Sequence, residues 1–107
     1  MCGIVGIFDP LNSFQNKKKI IRDLNDSQIH RGPDDQGYYD DNLTSLGFRR
    51  LSIIDLINGN QPIIKNNIIT IFNGEIYNYL ELKKIILNKS KTLIEFKSHS
   101  DSEVLVN

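Results

Sequence analysis

The residue after the initiator methionine is a cysteine, Cys2. If the methionine is removed, Cys2 carries both a thiol and a free α-amine, and the reference pKa of an N-terminal amine is about 7.7–8.0. Such an amine can take the thiol proton near neutral pH, so one residue supplies a nucleophile and its base. The alternative is a small apolar residue at a strand end, because free cysteines are commonly buried. Position alone favours this alternative.

A second candidate is the triplet Asn73-Gly74-Glu75, which directly follows a strand predicted over residues 68–72. An Asn side-chain amide and a Gly backbone N–H can converge on one oxygen, as an oxyanion hole requires. Glycine also permits close approach of the backbone. An ordinary Asn-Gly turn has the same sequence, and the triplet alone favours the turn.

Two charged residues complete a possible site. Arg50 lies among apolar neighbours in a strand-like run, and its planar guanidinium suits a carboxylate, which could equally be a structural Asp or Glu. Asp101 could bind an ammonium group, or it could complement a helix N-terminus. Together the signals describe a site for an amino acid, with Arg50 on the α-carboxylate and Asp101 on the α-ammonium. Cys2 would then attack the side-chain carbonyl, with Asn73 and Gly74 on the oxyanion.

The composition is that of one small folded domain. The chain has 107 residues, and 13 Lys+Arg balance 13 Asp+Glu. Zero net charge argues against a surface for nucleic acid or anionic membranes. The single cysteine excludes an intramolecular disulfide. No segment approaches the roughly 20 apolar residues of a membrane span, and the N-terminus lacks a signal-peptide pattern. We therefore expect a cytoplasmic protein that binds neither nucleic acid nor membranes.

Apolar periodicity and turn signals predict the elements that would position these residues. Residues 31–37 have the turn chemistry of a loop. Six runs have the pattern of strands, and two of them form a hairpin around Asn66-Asn67: 3–8, 37–40, 43–54, 63–65, 68–72 and 93–97.

Two helices are predicted. The first covers residues 17–29, with Lys17, Lys18 and Lys19 on a solvated face. The second runs from Asn78, which forms a capping pair with Glu81, to about Lys89. The apolar faces of the two helices are expected to hold Ile20, Ile21, Leu24 and Gln28 in the first, and Leu82, Ile85 and Ile86 in the second.

The C-terminal sequence Ser100-Asp101-Ser102-Glu103 has the spacing of a capping box. Only four residues follow Glu103, so the predicted helix has one to two turns and is not stable by itself. We therefore expect that the chain ends inside an element, as a truncated gene product, a fragment or half a domain would.

Several distinctive motifs occur in order along the chain, in residues 1–8, 31–37, 49–56, 61–62, 73–78 and 100–104. Together they resemble the glutaminase domain of glutamine-hydrolysing asparagine synthetases. These enzymes are class II glutamine amidotransferases with an N-terminal nucleophile. Amidotransferases of amino-sugar or purine synthesis typically lack two of the motifs, the Arg-Gly-Pro-Asp loop and the Arg-Leu-Ser-Ile-Ile-Asp run.

The resemblance implies a role for each matching residue. The nucleophile falls on Cys2, the oxyanion donors fall on Asn73 and Gly74, and the arginine for the glutamine α-carboxylate falls on Arg50. Residues 31–37 match a structural loop, and no metal ligand is implied. His30 and His99 are expected to be structural or exposed. The remaining residues expected to bind glutamine are Leu51, Ser52, Ile53 and Ile54, next to the arginine, and Glu75 and Asp101, near the amine.

The implied reaction is hydrolysis of L-glutamine to glutamate and ammonia through a γ-glutamyl thioester, without a cofactor. The implied fold is α+β, an αββα sandwich of the N-terminal nucleophile hydrolase type, of which residues 1–107 supply the first half. The class II glutamine amidotransferase domain would thus be truncated at its C-terminus. The synthetase domain, which would use ATP and Mg and the ammonia to make asparagine from aspartate, is expected to be absent from this chain. A half sandwich exposes a sheet face and strand edges, so we expect the isolated chain to be unstable or to associate.

A second hypothesis belongs to a different class. The chain could be a truncated, non-catalytic remnant or a glutamine-binding interaction module that retains the pocket without turnover. Joint retention of the candidate residues favours the enzyme, whereas the early end of the chain favours the remnant.

Overall fold

The computed structural model describes residues 1–52 and 59–107. It confirms the α+β class. Residues 53–58, which include the predicted strand residues Ile53 and Ile54, lie outside the described residues. The elements are β1 Gly3–Phe8, α1 Lys17–Ser27, β2 Asp35–Asp40, β3 Thr44–Arg50, β4 Ile63–Lys65, β5 Ile68–Thr70, α2 Tyr79–Lys89 and a 3-10 helix Asp101–Leu105.

The first three strands form one antiparallel sheet in the order β1-β3-β2. β3 occupies the centre and is mostly buried, because it pairs with a neighbour on both sides. Gly3 lies opposite Arg49, and Asp35 lies opposite Arg50. The register therefore brings the start of β1 and the start of β2 to the end of β3, so three chain segments meet at one end of the sheet.

Helix α1 packs on one face of this sheet. Ile21 is fully buried, and a Cβ at Gly47 would lie 3.1 Å from its methyl carbon, so glycine permits this close approach. The Asn25 amide donates to the Phe48 carbonyl over 3.3 Å. On the opposite face Ile4 and Phe8 are 45% and 70% exposed. The same face carries Phe48, which pairs with Ile4 and is 1% exposed, so the described residues cover this second face only in part.

Three predictions for α1 are corrected. The helix ends at Ser27 rather than residue 29, and Leu24 is 45% exposed because the contact with the sheet is made by Ile21 and Asn25. Lys17 is not on a solvated face. Its side chain is 10% exposed, because its ammonium donates to the Asn42 carbonyl over 2.8 Å.

The short hairpin β4–β5 forms a second sheet, as predicted. Asn66 turns the chain with a φ of 53°, a left-handed conformation that Asn tolerates. β5 ends at Thr70 instead of residue 72. The loop predicted over residues 31–37 is shorter than expected, because β2 already begins at Asp35, where it pairs with β3.

Helix α2 has the predicted bounds but not the predicted burial. The Asn78 side chain makes no capping hydrogen bond, and none of the helix residues is buried. Ile85, expected in a buried stripe with Leu82 and Ile86, is 40% exposed. Among the described elements, the short 3-10 helix makes the most extensive contact with α2, and it is too small to cover an apolar face.

The strand predicted over residues 93–97 is wrong, because this segment has no regular structure. Its last backbone N–H, that of Lys97, donates to the Glu103 side chain instead of to a neighbouring strand. Across the described ranges, no helix is long and apolar enough to cross a membrane.

Candidate active site

A cavity of about 400 Å³ lies where the ends of several elements meet. Its walls come from the start of β1, the end of β3, the segment after β5 and the start of the 3-10 helix. Ser52 is not part of the wall, and Ile53 and Ile54 lie outside the described residues. The predicted site residues that line the cavity are Cys2, Arg50, Leu51, Asn73, Gly74, Glu75 and Asp101.

The Cys2 sulfur is held against the residue that follows β3. Pairing of β1 with β3 places Gly3 opposite Arg49, so Cys2 lies beside the end of β3. The Leu51 N–H donates to Sγ over 3.4 Å, and the thiol can donate to the Leu51 carbonyl, 3.8 Å away. Arg31 Nε donates to the Cys2 carbonyl over 3.3 Å. The residue is half-buried, so its sulfur is fixed by neighbours without being sealed from the cavity.

The loop before β2 supports this arrangement from outside the cavity. The Asp34 N–H donates to the Arg50 carbonyl over 3.0 Å, and its carboxylate accepts the Ser52 N–H over 2.6 Å. Asp34 therefore binds the backbone on both sides of Leu51. A Cβ at Gly32 would lie within 2.4–2.5 Å of the Arg49 and Arg50 backbone, so this close packing requires glycine.

Arg50 presents its guanidinium at the cavity while it is only 5% exposed. Nη1 donates to the Asn60 side-chain oxygen over 2.8 Å. A buried guanidinium at a cavity wall suits a carboxylate ligand, because its planar donors can form two parallel hydrogen bonds.

Asn73, Gly74 and Glu75 line the cavity in the segment after β5. Asn73 is half-buried, whereas Gly74 and Glu75 are exposed. A Cβ at Gly74 would lie 2.8 Å from the Phe72 ring, so glycine lets the backbone pass close to that ring. An amide side chain and a glycine N–H thus stand at the same cavity as the thiol.

Asp101 connects the 3-10 helix to this segment. Its Oδ2 accepts the Ile76 N–H over 2.7 Å, and the carboxylate lines the cavity. The Ser100 side chain makes no capping hydrogen bond, so the expected capping box is not formed. Glu103 reaches back beyond Ser100 to the Lys97 and Ser98 N–H groups, over 2.7 and 2.8 Å.

The Glu103 carboxylate organises the turn that carries Asp101. It is buried and also accepts the Ser98 hydroxyl over 2.5 Å. Burial raises the pKa of the Glu103 carboxyl, but hydrogen bonds from Ser98 and Lys97 outweigh burial and hold this pKa below its usual value of 4.5.

Replacement of Glu103 by glutamine is expected to lower the free energy of unfolding at pH 7 by about 1–3 kcal/mol, because an amide nitrogen cannot accept these hydrogen bonds. Since the pKa is lower in the folded chain, the carboxylate stabilises the fold above about pH 4.5, and this stabilisation is lost as the pH falls. Urea unfolding of both proteins should therefore show a difference that shrinks below pH 4.5. Glu95→Gln, at an exposed position, is the control. A difference that grows with acidity would contradict this prediction.

Several wall residues were not predicted from the sequence. Phe48 is 1% exposed, and its place in an apolar run was a signal of burial but not of the site. Gln61 and Tyr77 lie in the matching segments 61–62 and 73–78, but their residue types suggested no catalytic or binding role. In the described part of the chain, no cluster of three or more His, Cys, Asp or Glu side chains could hold a metal ion. The other unpredicted wall residues are Met1, Gly59, Phe72, Ser100 and Ser102.

Comparison with known proteins identifies the family. The family model described as "Glutamine amidotransferase domain" matches residues 1–107. The chain belongs to this family. It is 46% identical to glutamine-hydrolyzing asparagine synthetase 1 of Bacillus subtilis (strain 168), over 99% of this amidotransferase chain and 17% of that relative. Asparagine synthetase 2 of the same strain is 41% identical, over 100% of this chain and 14% of the relative. The corresponding enzyme 1 of Arabidopsis thaliana is 35% identical, with shares of 100% and 18%. The chain thus spans less than one fifth of the length of these relatives.

Proposed function

We propose that this chain hydrolyses L-glutamine to glutamate and ammonia, with Cys2 as the nucleophile. The observation that carries the proposal is the shared cavity, which is lined by a thiol, a buried guanidinium, an amide-glycine pair and a carboxylate. These groups complement the parts of a glutamine molecule. The names of the relatives support glutamine as the amide that is hydrolysed.

The charged residues would bind and orient the substrate. Arg50 binds the α-carboxylate, and the Asp101 and Glu75 carboxylates bind the α-ammonium group. In both cases a charged side chain of the cavity wall pairs with a substrate group of opposite charge. The side-chain amide of glutamine is then directed to the remaining wall, where Cys2 lies. Leu51 would hold the sulfur in place through its N–H, 3.4 Å from Sγ.

Chemistry would begin after removal of Met1, which is 75% exposed and therefore accessible. The freed α-amine of Cys2 accepts the thiol proton, and the sulfur attacks the amide carbon of glutamine. Asn73 Nδ2 and the Gly74 N–H stabilise the oxyanion of the tetrahedral intermediate. The carbon–nitrogen bond breaks, ammonia leaves with a proton from the α-amine, and water hydrolyses the γ-glutamyl thioester to glutamate. No cofactor takes part in these steps.

The wider architecture is also a proposal. The sheet with α1 on one face corresponds to one helix layer and one strand layer of an αββα sandwich of the N-terminal nucleophile hydrolase type. The exposed apolar side chains of Ile4 and Phe8 support a further layer on the other face. The ammonia would serve a C-terminal synthetase domain that uses ATP and Mg to make asparagine from aspartate. The names of the relatives and the small share of their length that the chain spans support this part.

Alkylation by a glutamine-like diazo-ketone tests the proposed function. The intact mass of the purified chain should show loss of Met1 and one adduct, and excess L-glutamine should slow adduct formation. Cys2→Ala should give no adduct, because the sulfur is the alkylated atom. A folded chain that has lost Met1 but forms no adduct would contradict the proposal. Binding of glutamine without an adduct would support the non-catalytic binding module instead.

A further inference from the structure

Gln61 makes a two-point contact with the backbone of Phe72, the residue before Asn73. Its Oε1 accepts the Phe72 N–H over 2.5 Å, and its Nε2 donates to the Phe72 carbonyl over 3.2 Å. The residue is 9% exposed and lines the cavity. A side-chain amide that hydrogen-bonds both the N–H and the C=O of one residue makes the contacts that a neighbouring strand would make. It therefore fixes the position and the orientation of that residue.

The segment from Phe72 to Gly74 depends on this contact. β5 pairs with β4 only as far as Thr70. Within residues 1–52 and 59–107, no hydrogen bond between backbone atoms involves residues 72–74. The Gln61 amide is therefore what holds the backbone directly before Asn73 and Gly74.

Gln61 is itself fixed to the main sheet and to the arginine. A Cβ at Gly37 in β2 would lie 1.7 Å from the Gln61 carbonyl oxygen, so the two backbones pack against each other with no room for a side chain. The preceding residue, Asn60, accepts a hydrogen bond from Arg50 over 2.8 Å. Two adjacent side chains thus contact two parts of the cavity wall: Asn60 contacts Arg50, and Gln61 contacts the residue before Asn73.

We propose that Gln61 is a positioning residue that aligns Asn73 and Gly74 with the oxyanion, a role that rests on the proposed glutamine hydrolysis. Gln61 acts through the Phe72 backbone and does not itself bind the charged ends of the substrate. Loss of the Gln61 contacts should therefore weaken stabilisation of the transition state, in which the oxyanion forms, more than it weakens the binding of glutamine.

Gln61→Met tests the inference, because methionine has a similar volume but cannot make either hydrogen bond. We expect kcat for glutamate release to fall about 10²-fold, the effect of a misplacement of about 1 Å in a catalytic group. KM should change less than about threefold, because ground-state binding is retained. Gln61→Glu keeps an acceptor for the Phe72 N–H and should restore part of kcat. The matched control is Gln15→Met, at an exposed position outside this cavity.

Backbone amide hydrogen exchange tests the positioning independently of turnover. In Gln61→Met, exchange at the Phe72 amide, whose N–H the Gln61 side chain accepts, should rise while α1 and the main sheet keep their protection. Unchanged exchange at Phe72 would overturn the inference. An equal rise in exchange throughout the chain would also overturn it, because this indicates a general structural role. A rise in KM with kcat unchanged would overturn it as well. If the unmodified chain releases no glutamate, the proposed function fails, and exchange at Phe72 still decides whether Gln61 holds the backbone before Asn73.

Discussion

Replacing Cys2 by alanine is expected to lower the rate of glutamate release on the order of 10⁴–10⁶-fold, the range found when a catalytic nucleophile and its partners are removed. The chain has a single cysteine, so no second thiol can replace the lost sulfur. Glutamine binding should persist in this variant, because Arg50 and Asp101 are unchanged. Steady-state release of glutamate and calorimetric binding of glutamine measure the two effects separately.

Cys2→Ser is the matched control for this prediction. The serine hydroxyl can occupy the place of the thiol beside Leu51, but it is a weaker nucleophile than a thiol. We therefore expect release of glutamate to remain far below that of the unmodified chain while the cavity keeps its shape. Normal turnover in Cys2→Ala would refute the assignment of the nucleophile.

Asn73→Ala should lower kcat about 10²–10³-fold, which corresponds to about 2.7–4 kcal/mol of barrier for one oxyanion donor. KM should remain nearly unchanged, because the Asn73 amide forms its full hydrogen bond only with the negatively charged oxygen of the tetrahedral intermediate. Initial rates of glutamate release over a range of glutamine concentrations separate the two constants.

Two comparisons make this result interpretable. Asn88→Ala, at an exposed position on α2, removes an amide of the same size away from the cavity and should change neither constant. Arg50→Lys should have the opposite profile and raise KM, because lysine cannot form two parallel hydrogen bonds with a carboxylate. A rise in KM with constant kcat in Asn73→Ala would place this residue with substrate binding instead.

The sequence predicted those helix ends, strand ends and turns that depend only on neighbouring residues in the chain. β1 ends before Asp9-Pro10, the hairpin turns at Asn66-Asn67, and α2 begins after Asn78, as expected from turn and helix signals. Residues 93–97 have the apolar and β-branched content of a strand, but the Glu103 carboxylate takes the Lys97 N–H. No local pattern contains that information, because the competing acceptor comes from a separate element.

The same distinction applies to the site. Cys2, Arg50 and Asn73 were predicted to share one site because residue type alone suggests the chemistry of thiol, guanidinium and amide groups, and all three line the cavity. Gln61 was not recognised, since it contacts the backbone of Phe72, and every residue type offers the same backbone groups. Supporting residues of this kind become visible only when the three-dimensional structure shows what their side chains contact.

The hydrogen bond from Arg31 to the Cys2 carbonyl has a consequence for the order of events during maturation. That carbonyl belongs to the peptide bond between Cys2 and Gly3, which cleavage of Met1 leaves intact. The pairing of Gly3 with β3 is also unaffected, so the pocket is assembled in the newly made chain. In the proposed mechanism the unprocessed protein is then a latent form, because the Cys2 nitrogen is still part of a peptide bond and cannot accept the thiol proton. Met1 lines the cavity but is 75% exposed, so its removal can follow assembly of the pocket and convert the latent form into the active one.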